Sequence, residues 1–173
     1  MQRIQYYNKM KYIKDMKHPR SHYKIEGANG FCNMGNLCES IAKYHRGLPY
    51  LVNPNTAGLE GFDIPELKAE VKSGACGLGR DIGDLDFTQS QQIKYYFQHS
   101  PSDKIWIWVY FEEKTQLVTE YHMSKSEFGR FIHIALRSKQ HLQSNKKSLN
   151  VRFKTTSKKM LRWLDEQVEK TAA

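Results

Sequence analysis

The stretch Lys104-Ile105-Trp106-Ile107-Trp108-Val109-Tyr110-Phe111 alternates without a break. Ile105, Ile107, Val109 and Phe111 take one face of a strand, and Trp106, Trp108 and Tyr110 take the other. Side chains of this kind suit a pleated backbone. A strand that is apolar on both faces needs cover on both, so this one is expected at the centre of a sheet. The Trp106/Trp108/Tyr110 stripe then belongs to the core rather than to a base-stacking platform.

On the C-terminal side, Leu117 to His122 is expected to return as a hairpin partner. Ser124 starts a helix near Phe128 to Leu136, with Glu127 completing a capping box. Leu149 to Phe153 makes a last strand, and a terminal helix carries Met160, Leu161, Leu164 and Val168 on one face. On the N-terminal side, Asp86 or Thr88 caps a helix through Ile93, Tyr96 and Phe97 that Ser100-Pro101 breaks. Gly74 to Gly83 reads as a loop, and Asn53-Pro54-Asn55 as a turn after a short strand at Tyr50 to Val52. Asn36 to Arg46 forms a helix with Leu37, Ile41 and Tyr44 in a stripe, Asn36 as its cap, and Gly47 and Pro49 as its stop. The first 24 residues have the loose spacing of a helix or a partly ordered arm. The expected organisation is a basic arm or helix over residues 1–35 and one core domain over residues 36–173. The expected fold class is α/β (α+β), a mixed central sheet flanked by helices.

The chain has 173 residues, which suits a single core domain. Cys32, Cys38 and Cys76 are odd in number and form no CxxC pair, which argues against a zinc site or a disulfide framework. No apolar run reaches the roughly 18 residues of a membrane helix, and no signal-like core follows Met1, so the expected setting is cytoplasmic without a membrane partner. The net charge of +9 is unevenly spread. Gly129 to Leu164 holds no acid, while Glu60, Asp63, Glu66, Glu70, Asp81, Asp84 and Asp86 crowd the middle. Basic flanks around an acidic centre suit a protein that grips phosphates around a divalent cation. A merely solvated basic surface is the alternative.

The acidic centre contains Gly58-Leu59-Glu60-Gly61-Phe62-Asp63-Ile64-Pro65-Glu66-Leu67-Lys68-Ala69-Glu70-Val71-Lys72-Ser73-Gly74. It reads as two short strands around a tight turn. Alternation puts Ala69 and Val71 toward the core, and Glu70 and Lys72 together toward a cleft. If the turn centres on Glu66-Leu67, Asp63 faces Glu70, with Cβ atoms about 4.5 to 5.5 Å apart. Glu-Leu is a poor pair for a two-residue primed turn, so a longer loop that shifts the register stays open. Two carboxylates that close repel unless a hard cation such as Mg²⁺ lies between them. Lys72 is then placed to orient the attacking water and to offset charge on the phosphate. A solvent-exposed Glu70–Lys72 pair without chemistry is the alternative.

Asp63 followed by Glu70-Val71-Lys72 resembles the PD-(D/E)xK nuclease family. Glu60-Gly61-Phe62-Asp63 and Glu70-Val71-Lys72-Ser73 look most like PvuII-like type II restriction endonucleases, over roughly residues 58–155. The resemblance implies a restriction-endonuclease-like sheet and a homodimer that hydrolyses DNA with Mg²⁺, which Mn²⁺ can replace. It implies Asp63, Glu70 and the Val71 carbonyl as metal ligands, Lys72 as the partner of the water, and Glu60 as an accessory acid. Glu39 fits two roles: a helix glutamate that joins the metal site, as in resolvase-like nucleases, or a capping residue that pairs with Lys43. Gln89, Gln91 and Gln92 are candidates for reading bases, or simply a polar helix start. Lys146, Lys147 and Lys154 are candidate phosphate clamps, or a solvated face. Two other functions fit the same residues. One is a phage-type or Holliday-junction-resolvase-like nuclease acting on branched or single-stranded DNA. The other is a non-catalytic protein of this fold that binds nucleic acid or inhibits a protein partner.

Overall fold

The computed structural model describes residues 1–9, 34–50, 61–73, 75–77, 97–112, 114–137, 142–145, 148–152 and 158–173. Its main sheet has four strands: β1 (Gln2–Tyr7), β2 (Ala69–Lys72), β4 (Ile105–Glu112) and β5 (Leu117–Met123). They lie in the order β1-β5-β4-β2. β4 and β5 form the expected antiparallel hairpin, and β2 runs parallel to β4 on its other side. The doubly apolar β4 is thus an inner strand, as its alternation requires.

Each face of β4 has its own core. Trp106 and Trp108 pack with Tyr121 and Met123 under α2 (Lys125–Arg137) and α3 (Lys158–Ala172), which bring Phe128, Phe131, Ile132, Met160 and Leu164. Trp106 stacks on Phe128 at 5.0 Å, and both are fully buried. Ile107 and Val109 face the other way, with Ala69, Val71, Val118 and Ile64, under α1 (Met34–His45) and its Leu37, Cys38, Ile41 and Ala42. The result is a mixed sheet between helical layers. Full burial of one such apolar side chain contributes about 1.5 to 3 kcal/mol, so these two layers dominate what holds the sheet.

Local signals match where they are local. Ser124 Oγ accepts the Glu127 N–H at 3.4 Å, and Glu127 Oε2 accepts the Ser124 N–H at 2.8 Å, the reciprocal capping box. Gly47 ends the α1 turn with φ +68°.

Three expectations are corrected. Of the segment expected as a helix or arm, Gln2–Tyr7 forms an edge strand, pairing antiparallel with β5 from Gln2 opposite His122 to Tyr7 opposite Leu117, and residues 10–33 lie outside the described residues. Ile4 and Tyr7 have helical spacing while Ile4 and Tyr6 have strand spacing, so the segment fits either period. The open backbone edge of β5, which needs hydrogen-bond partners, decides for the strand. Asn36 lies inside α1, which starts at Met34, so it does not cap the helix. Within the stretch expected as a loop from Gly74, Ala75–Gly77 forms β3, paired with β7 (Ser148–Arg152) in a second sheet of order β3-β7-β6 with β6 (Leu142–Asn145). Tyr50 lies outside any strand, and the turn at Asn53-Pro54-Asn55 and the helix start near Asp86 or Thr88 fall outside the described residues. Among the described residues, no helix is long and apolar enough to cross a membrane.

Candidate active site

The outer edge of β2 is occupied by a tight hairpin. Ile64 and Ala69 exchange both backbone hydrogen bonds, at 3.0 and 3.1 Å. Pro65–Leu67 forms one 3₁₀ turn, closed by Lys68 in the left-handed region at φ 47°. This is a four-residue loop rather than a two-residue primed turn. The Ile64–Ala69 pair has the register expected from a turn centred on Glu66-Leu67, but it is an isolated bridge, and beyond it the Asp63 side chain rather than the backbone meets β2.

Strand alternation then distributes the groups. Ala69 and Val71 are buried against α1, while Glu70 and Lys72 point to the opposite face and stay partly open. Lys72 Nζ donates to Glu70 Oε1 at 2.5 Å. Ala69 directs its N–H and C=O to the outer edge, where Ile64 takes them. Val71, two residues on, directs its own pair to the same edge. There Asp63 Oδ2 accepts the Val71 N–H at 2.7 Å, which leaves the Val71 carbonyl facing the same side as the Asp63 carboxylate. Glu39, on α1, lies within electrostatic reach of Asp63 and pairs with Lys43 at 2.5 Å. It therefore makes the expected i,i+4 pair and also borders the site.

The electrostatics separate the carboxylates. Burial pushes the Asp63 carboxyl up, and the negative Glu39 adds to this. The Val71 N–H and Lys72 pull it down, Glu70 pushes back, and the balance is about 6. Burial also works to raise Glu70, but Lys72 and Lys104 together outweigh it and hold it below the ordinary carboxylate range. Asp63 is thus the carboxylate most in need of a cation.

The sequence did not single out Lys104. Its ammonium donates to Glu70 Oε2, opposite Lys72, and lies 5.2 Å from the centre of the Trp106 ring. The parallel register that sets Glu70 beside Trp106 brings it there. Lys104 is two residues before Trp106, on the same face of the strand, but only the pairing of β2 with β4 reveals it as a neighbour of the ExK strand. Glu60, Gln89, Gln91, Gln92, Lys146, Lys147 and Lys154 lie outside the described residues.

Among the described residues, no three His, Cys, Asp or Glu side chains are grouped so as to hold a metal ion. Mg²⁺ does not require three, because it commonly binds through one or two carboxylates plus water and substrate phosphate. Asp63, Glu70 and the Val71 carbonyl are all hard oxygen donors, and Asp63 is raised by burial and by the negative Glu39 and Glu70 more than the Val71 N–H and Lys72 lower it. The donor set fits that cation. Compared with protein families, curated proteins and solved structures, the chain has no match.

Proposed function

We propose that the chain is a Mg²⁺-dependent DNA endonuclease that hydrolyses phosphodiester bonds, with restriction-like duplex cleavage by a homodimer as the favoured form. The observation that supports it best is the register of the hairpin. It ties Asp63 to the Val71 N–H within electrostatic reach of Glu70, with Lys72 bonded to Glu70 and Glu39 bordering Asp63. In this reading Asp63, Glu70 and the Val71 carbonyl hold the cation, and Glu39 adds negative charge at its margin. The cation, when bound, supplies Lewis-acid polarisation of the phosphoryl oxygen. Lys72 Nζ orients the attacking water and stabilises the phosphate as its charge grows. The acid-free basic stretch from Gly129 to Leu164 supplies the grip on the DNA backbone.

Plasmid DNA incubated with Mg²⁺ or Mn²⁺ tests this. Nicked or linear product is expected, and Lys72→Met should lower the rate by about 100-fold or more without unfolding the protein. Intact supercoiled plasmid across varied sequences, or full activity in Lys72→Met, would refute it. Preferential cutting of a four-way junction would move the substrate to branched DNA and leave the chemistry unchanged.

One observation favours a second reading. Both oxygens of Glu70 are taken by lysines, an arrangement that also suits a non-catalytic phosphate-binding surface. Calorimetry decides between the two: heat on adding Mn²⁺ that Glu70→Gln abolishes supports the nuclease, and its absence supports the binder.

A further inference from the structure

We infer that the outer edge of β1 pairs antiparallel with β1 of a second copy of the chain, joining two four-stranded sheets into one across a two-fold axis at Gln5. β1 ends the strand order β1-β5-β4-β2, and among the described residues nothing pairs with its outer edge. Gln2, Arg3, Gln5 and Tyr7 are exposed, and Tyr7, at 68%, is the most exposed of the large apolar side chains described. The strand holds no proline and no acid, and its register with β5 runs unbroken, so no bulge turns the edge away. The direction of its backbone groups follows from the β5 pairing. The Asn8 N–H donates to the Gln116 carbonyl at 2.8 Å, in the same register that sets Gln2 opposite His122. Hydrogen-bonded pairs alternate along an antiparallel ladder. Gln2, Ile4 and Tyr6 therefore bond to β5, while Arg3, Gln5 and Tyr7 direct their N–H and C=O groups outward.

The occupant is a second copy because the edge is complementary to itself. A two-fold axis at Gln5 uses all three outward residues. Arg3 then faces Tyr7 of the second copy, at both ends of the pairing, and each guanidinium meets an aromatic ring. The two Gln5 amides face each other on the axis. On the other side of the strand, Ile4 lies opposite Tyr6 of the second copy, a favourable aliphatic–aromatic pair. The neighbouring registers are worse. An axis at Arg3 sets the two Arg3 side chains against each other, and an axis at Tyr6 sets Arg3 against Lys9, both like-charge pairs. An axis at Ile4 leaves Tyr7 opposite Met1, which is buried in its own core. The charge pattern thus selects one register. This surface is what a homodimer needs, and it does not depend on the chemistry at Asp63.

Two measurements on the full chain test this. The first is sedimentation equilibrium, in which the parent should dimerise. Tyr7→Arg puts a second guanidinium opposite Arg3 and should weaken association about tenfold or more, whereas Tyr7→Glu puts an acid there and should keep it. Tyr7 is exposed, so neither change disturbs the fold. Gln5→Pro removes one outward N–H per copy and no bond to β5, and should leave a folded monomer. The second measurement is oxidative cross-linking, scored against the parent. Gln5→Cys should lock two copies together, since opposed residues of a hydrogen-bonded pair have Cα atoms about 5.5 Å apart, within the span of a disulfide. Tyr7→Cys should not, because its twin lies about 14 Å away along the strand. A monomeric parent overturns the pairing, and plasmid cleavage by that monomer leaves the nuclease chemistry standing. A dimer that survives Gln5→Pro and Tyr7→Arg, and that Gln5→Cys does not lock, also overturns it and moves the contact to another surface. A dimer that meets every expectation but leaves plasmid intact keeps the pairing and removes the nuclease reading.

Discussion

Asp63→Asn should make the metal-free protein more stable, and only above about pH 5. Asparagine keeps the shape and still accepts the Val71 N–H, so the hairpin edge is preserved. What it removes is the charge. Burial and Glu39 move the carboxyl from 3.8 to about 6. An acid with a raised folded pKa binds more protons when folded than when unfolded. The protein is therefore spared the penalty below about pH 4, incurs it progressively as the pH rises from about 4 to about 6, and carries all of it above that. At about 1.36 kcal/mol per pH unit, the full penalty is about 3 kcal/mol. Asp63 is partly open to solvent, and screening reduces this to about 1 to 2 kcal/mol. Urea denaturation in EDTA at pH 7.5 and pH 4 measures it. The variant should gain about 1 to 2 kcal/mol at pH 7.5 and nothing at pH 4. Saturating Mn²⁺ should reverse the order, because binding stabilises only the chain that holds the ion. Cleavage should be lost at every pH. An equal stability change at both pH values, or a less stable variant at pH 7.5, would refute the placement of a burial-raised carboxylate at this edge. A gain in stability with a loss of activity is the usual signature of a strained functional site.

Two other changes probe the frame that holds the site. Glu120 is fully buried on β5, where Arg46 holds both its oxygens at 2.9 and 2.6 Å, Tyr6 donates at 2.6 Å and His122 lies at 2.9 Å. Burial pushes it up, but these partners outweigh burial and bring it down to about 2. Its folded pKa is depressed, so its contribution of about 3 kcal/mol is present above about pH 4.5 and is lost as the pH falls toward 2; Glu120→Gln should lose that amount at pH 7 in urea melts and show a flatter acid limb. Ser124→Ala removes one half of the capping box on α2 and should cost about 1 kcal/mol in thermal denaturation, with plasmid cleavage unchanged.

Much of this could be read from the chain because the signals are local. Period-two alternation depends on neighbouring residues, so β4, the β5 hairpin and the inward turn of Ala69 and Val71 followed from the sequence directly. The Ser124/Glu127 box and the Met160/Leu164 face of α3 are also short-range patterns. Glu70 and Lys72 sit two residues apart on one strand, which joins them whatever the rest of the fold does. The register of Ile64 with Ala69 was legible too, although the loop that produces it was not: Lys68 takes a left-handed conformation that is uncommon for lysine.

Other features depended on partners distant in sequence. Gln2–Tyr7 became a strand because the edge of β5 needed hydrogen bonds, and its own spacing could not distinguish a strand from a helix turn. Glu39 approaches Asp63 because α1 packs on the Ala69–Val71 face of β2. Lys104 reaches Glu70 through the parallel pairing of β2 with β4, across a separation of 34 residues. The sequence by itself determined which residues carry charge and which face of each strand they take, since alternation is a property of the backbone. Only the tertiary structure decided which charges meet, since that depends on how strands and helices far apart in the chain pack together.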